Sequence, residues 1–108
     1  MQESRTDLDA GCWAVIFTSV RTDGDHGYAE TAGRMLELAA SMPGFLGVES
    51  AREEMGVTVS YWESPEAIKA WREHPEHLAA QKRGRKEWYE SFTTRVCRVE
   101  RVSRFTKS

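Results

Sequence analysis

The chain has 108 residues, 40% hydrophobic and 30% charged, with a formal net charge of −2. That length fits one compact domain, and that composition belongs to a folded protein rather than a disordered one. The weak charge gives no broad attraction to phosphate backbones or anionic lipid, which argues against nucleic acid and membrane as partners.

No stretch approaches the roughly 18 to 20 apolar residues of a membrane span, and the opening MQESRTDLDA is too polar for a signal peptide, so a cytoplasmic location is expected. Residues 1–11 are expected to be a flexible lead into a single domain over 12–105. Cys12 and Cys97 are far apart in sequence, and reduced, buried thiols are expected rather than a disulfide.

CWAVIFTSV at 12–20, β-branched, aromatic and small, reads as a strand. Its apolar residues do not alternate with polar ones, as expected when both faces are covered. In GYAETAGRMLELAASM, residues Tyr28, Ala32, Met35, Leu36, Ala39 and Met42 recur at helical spacing until Pro43 and Gly44 stop the helix. FLGVESAR and VTVSYWE are two strand-like runs joined by EEMG, a turn short enough for an antiparallel hairpin.

Ser64 as N-cap and Pro65 at the first helical position start a helix over EAIKAW. Pro75 disfavours helical geometry at His74, so the helix breaks there and restarts, running to about Phe92. TTRVCRVERV closes the chain as a last strand. Strand, helix, strand, strand, kinked helix, strand is the order of an α+β, ferredoxin-like βαββαβ domain. Its helices cover one face of a four-stranded antiparallel sheet. A first strand apolar on both sides calls for cover on the second face, and a second copy in a homodimer is the economical source.

On the restarted helix, His77, Gln81, Gly84, Trp88 and Phe92 fall along one side, flanked by Arg85 and Tyr89. A stripe mixing imidazole, amide and indole suits the wall of a pocket for a flat, partly polar ligand. Each of these residues also has an ordinary structural reading. A helix histidine is often only a hydrogen-bonded group, Trp62, Trp71 and Trp88 are often simply core, and Lys82 to Glu87 can be a solvated charge run. His74 and His77 are three apart, but with no cysteine and no third histidine placed beside them they make a poor metal site, and no metal is expected. His26 has no spacing that assigns it a role.

PGFLGVES, VSYWESPEAIKAW and a histidine six residues beyond that last tryptophan resemble the antibiotic biosynthesis monooxygenase superfamily, over roughly residues 12–102. The resemblance implies a dimeric α+β barrel, and among its activities the cofactor-independent oxidation of phenols and anthrones to quinones. Some members degrade haem with a proximal histidine, a tryptophan that distorts the porphyrin and an asparagine on the first strand. A gap-free overlay puts Trp71 at the tryptophan position. It puts Gln81 at the histidine position, and CWAVIFTSV contains no asparagine.

For a cofactor-free oxygenase the chain must supply a base, oxyanion stabilisation and a dry apolar cavity. His77 is the candidate base, Gln81 or Arg85 the oxyanion donor, and Trp62, Trp71 and Trp88 the walls around a small aromatic ligand. Two other functions stay open: a non-catalytic ligand-binding or stress-related dimer, and haem binding through His77.

Overall fold

A computed structural model describes residues 8–107 of the chain. The expected lead segment 1–11 therefore lies mostly outside the described residues. Where it enters them, the Gly11 amide donates to the Val99 carbonyl at 2.7 Å.

Strand β1 is Trp13–Arg21, helix α1 Tyr28–Ala40, and β2 and β3 are Phe45–Arg52 and Gly56–Trp62. Helices α2, Pro65–Arg72, and α3, Pro75–Arg83, follow, then a π-helical turn over Gly84–Trp88 and strand β4, Tyr89–Arg98. The four strands form one sheet in the order β2-β3-β1-β4 with antiparallel neighbours. This is the ferredoxin-like α+β arrangement anticipated above.

The local signals act as their chemistry requires. Ser64 Oγ accepts from the Ala67 amide at 3.1 Å, and Pro65 opens α2. His74 is extended (φ −61°, ψ 131°), and its Nδ1 accepts from the Glu76 amide at 3.2 Å, so the residue before Pro75 caps the new helix α3. Gly44 takes φ +85°, a left-handed conformation open to glycine, and turns the chain from α1 into β2.

Alternation along the strands divides the sheet. Trp13, Val15, Phe17 and Ser19 of β1 share a face with Trp62, Ser60, Thr58 and Gly56 of β3 and with Phe45, Val48, Ser50 and Arg52 of β2. The helices pack on this face. Ala39 of α1, Ile68 of α2 and Trp62 are buried together, with Trp13, Val15, Met42, Phe45 and Trp71 packed round them. On the opposite, outer face stand Ala14, Ile16, Thr18 and Val20 beside Val57, Val59 and Tyr61, and no helix among the described residues packs there.

One expectation fails at the end of α3. The helix does not continue to Phe92: the α-helical bonds stop at Arg83, one π turn follows, and Tyr89 is already extended (φ −121°, ψ 132°). The cause is aromatic packing. Tyr89 and Phe92 set their rings 5.4 and 5.3 Å from Phe17 on β1 and 5.7 Å from each other, and the register shift at Val20/Arg21, which pairs Tyr89 with Arg21 and Phe92 with Ser19, brings both to that face. The last strand thus starts four residues before the expected TTRVCRVERV.

Candidate functional site

His77 sits in the first turn of α3, with its ring parallel to the Trp71 indole, 4.1 Å between centroids and 12° between planes. Trp71 in turn stacks on Trp62 at 6.3 Å, and Trp62, at 0% exposure, reaches the centre of the core. Three flat groups form a pile from the helix surface inward.

His77 Nδ1 lies 3.0 Å from the Trp71 carbonyl oxygen and 3.3 Å from Gln81 Nε2. A carbonyl oxygen only accepts, so the bond to Trp71 requires a proton on Nδ1. A protonated Nδ1 cannot accept from Gln81 as well, and that amide is left to the Arg72 carbonyl at 3.4 Å. The lone pair of the neutral ring then resides on Nε2. Burial, first, and the neighbouring His74 hold the His77 pKa below the ordinary 6.5, against the opposing hydrogen bond to Trp71. The imidazole is neutral at pH 7, with its free nitrogen able to take a proton.

The structure thus brings together His77, Trp71, Gln81 and Trp62, the last of them as the buried base of the pile. Trp88 and Arg85 fall elsewhere. The wider π turn breaks the helical phase that would have kept them in line with His77. Trp88, 3% exposed, turns inward, and its Nε1 donates to the His26 carbonyl at 3.0 Å. Arg85 is exposed, with its guanidinium carbon 5.5 Å from the Phe92 ring centre. His26 contributes its backbone: at φ 50° its carbonyl also receives Arg83 Nη2 at 2.7 Å, tying the loop before α1 to α3. Gly84 does not open space for a ligand, because a Cβ there would stand 2.9 Å from a Tyr89 ring carbon. Among the described residues no three His, Cys, Asp or Glu side chains gather where they could hold a metal ion.

Two clefts lie away from His77. One, of about 300 Å³, runs between α1 and α3 over Thr31, Met35, Ala80 and Trp88, and is bridged by Arg34 and Glu76 at 2.9 and 3.1 Å. The other, of about 410 Å³, opens at the far end of the sheet between Tyr28, Ser50, Arg52, Gly56 and Thr58. Sequence reasoning passed over this second group because Arg52 stands beside Glu53 and Glu54 in what reads as an ordinary charged turn.

The sequence and fold also place the chain among known proteins. The model of the antibiotic biosynthesis monooxygenase family matches residues 13–83. The chain belongs to that family. Its match ends at the last residue of α3, so the family model covers the sheet except β4, together with the His77 pile. A relative, the uncharacterized protein YqjZ of Bacillus subtilis, is 55% identical over 98 residues, covering 89% of this chain and 86% of its own. Among solved structures, SnoaB of Streptomyces nogalater, a cofactor-independent oxygenase, superposes with a TM-score of 0.70 at 16% identity, covering 90% of this chain and 97% of its own. A conserved protein of Methanosarcina mazei superposes at 0.75 with 7% identity, over 84% of this chain and 95% of that one. At such identities the likeness to both structures is one of fold. No helix among the described residues is long and apolar enough to cross a membrane.

Proposed function

We propose that this member of the antibiotic biosynthesis monooxygenase family is a homodimeric oxygenase that oxidises a small aromatic compound, a phenol or anthrone, without metal, flavin or haem. The observation that carries the reading is the His77–Trp71 stack. It fixes the imidazole by a hydrogen bond on one nitrogen, keeps it neutral by burial and leaves the other nitrogen to act.

His77 Nε2 takes the proton from the acidic C–H or O–H of the substrate. The resulting anion gives one electron to dioxygen, and the organic radical and superoxide recombine into a peroxide, which takes up a proton. Loss of water then leaves the carbonyl of a quinone. One dioxygen is consumed: one of its atoms enters the product and the other leaves as water. The indole of Trp71 offers a flat surface for the aromatic anion, and Gln81 a hydrogen-bonding amide beside it.

Oxygen uptake with an anthrone or a hydroquinone tests the reading. A general base is worth about 10² to 10⁴ in rate, so His77→Gln and His77→Ala should lose at least the lower figure while keeping the far-ultraviolet spectrum of the parent. Equal rates would remove His77 as the base. Failure of the parent to consume oxygen with any member of a broad phenol panel would favour a ligand-binding dimer without catalysis.

A further inference from the structure

The cleft at the far end of the sheet carries an inference that does not depend on the oxygenase reading. Gly56 and Trp62 are the two ends of β3, about 20 Å apart at ~3.3 Å per residue, so this cleft is remote from the His77 pile.

Arg52, Gly56 and Ser19 are direct neighbours across three strands, β2, β3 and β1. The Arg52 side chain lies across the sheet and donates from Nη2 to Ser19 Oγ, two strands away. Only glycine between them permits this, since a Cβ at Gly56 would overlap the guanidinium. Ser19 is 2% exposed, so the arginine is anchored at its inner edge to a buried hydroxyl while the residue as a whole stays open to solvent.

A guanidinium has five N–H donors, and this hydroxyl is the one acceptor Arg52 meets among the described residues. The two ion pairs between described residues, Arg34–Glu76 and Arg83–Glu87, leave it out. No carboxylate lines the cleft, whose remaining polar groups are the hydroxyls of Ser50, Thr58 and Tyr28. A second cation stands close by, for Arg21 places its guanidinium carbon 3.7 Å above the Tyr28 ring centre. Burial, first, and the adjacent Tyr28 hydroxyl hold the Tyr89 phenol above its ordinary range, so the ring behind Tyr28 stays uncharged and brings no negative charge to oppose an anion. Tyr28 stands edge-on to Tyr89 at 5.9 Å and to Trp88 at 5.7 Å, which gives the cleft a firm aromatic side.

We infer that this cleft binds a small aromatic carboxylate, its charged oxygens paired with the anchored Arg52 guanidinium and its ring set against Tyr28. A planar guanidinium grips a carboxylate through two parallel hydrogen bonds, and about 410 Å³ falls within the usual range of roughly 300 to 1,000 Å³ for small-molecule sites.

The test is calorimetric titration of the full-length protein with 2-naphthoate and with its neutral counterpart 2-naphthamide. The parent should bind the carboxylate at least tenfold more tightly than the amide. Arg52→Gln should bring the two affinities together with the amide unchanged, and Arg52→Lys should fall between, since it keeps the charge and loses the fork. Should Arg52→Gln fail to fold, Ser19→Ala serves in its place: freeing the guanidinium from its anchor should narrow the ratio. No binding of naphthoate by the parent, equal affinities in the parent, or a ratio that survives Arg52→Gln would each overturn the inference.

Discussion

His77 shows how one side chain can tie stability to pH. Its folded pKa lies below the ordinary 6.5 because burial disfavours the charged ring. The unfolded chain therefore takes up a proton at a pH where the folded one does not. Between those two values the unfolded state holds more protons, and stability rises with pH; it is fully present above 6.5 and is lost as pH falls through the window below that value. Replacing His77 by Gln should flatten the slope of unfolding free energy between pH 6.5 and 5, measured by denaturant titration; parallel curves for parent and variant would refute the assignment. Trp62 poses a different question at the same scale, since tryptophan can serve as core or as ligand wall. At 0% exposure, with Phe45 edge-on at 5.3 Å and Trp71 stacked above, it should behave as core. Trp62→Ala should cost about 3 to 5 kcal/mol of folding stability, as large aromatic truncations do. A loss below ~1 kcal/mol would mean that the site collapses freely and the residue is not central.

The π turn decides where the second half of the site goes. Up to Arg83 the reading from sequence holds, because Pro43-Gly44, Ser64-Pro65 and His74-Pro75 are stop and start signals with local causes. Beyond Arg83 no such signal exists. GRKEWYESF keeps helical spacing of its apolar residues, and what turns it into a strand is the nonlocal contact of Tyr89 and Phe92 with Phe17. Likewise, His77 and Gln81 were legible as an i, i+4 pair, whereas the Arg52–Ser19 bond depends on strand order and could be seen only once β3 lay between β2 and β1. Gly84 offers a test at this level. Alanine gains about 1 kcal/mol over glycine in helix propensity. Against that, its Cβ would meet the Tyr89 ring at 2.9 and 3.0 Å, and that ring is hemmed in by Phe17, Phe92 and Tyr28. Overpacking of this kind costs about 1 to 3 kcal/mol, so Gly84→Ala should lower the urea midpoint. A raised midpoint would show that the turn yields and that propensity decides.

Over the described residues the molecule is one sheet with its helices on one side, and that leaves Ala14, Ile16, Val20, Val57, Val59 and Tyr61 without helical cover from those residues. The pattern had been legible in CWAVIFTSV as a strand apolar on both faces. The proposed dimer places this face against its copy, and a two-fold interface brings every substitution into play twice. Thr18 lies in that face on the central strand β1, between Val57 on one side and Thr93 on the other, neither of them charged. A lysine there has no carboxylate opposite it in the adjacent strands, and in an isolated protomer its stem can lie along the sheet with the ammonium in water. Across a two-fold contact each copy would bury an ammonium group without a carboxylate beside it on its own sheet, which costs several kcal/mol when it cannot be relieved. Thr18→Lys should therefore move the species seen by size-exclusion chromatography with light scattering from twice the chain mass to once, at micromolar concentration, with the far-ultraviolet spectrum unchanged. A parent that already runs as a monomer, or a variant that remains a dimer, would place the contact elsewhere and leave the outer face to be explained by another partner.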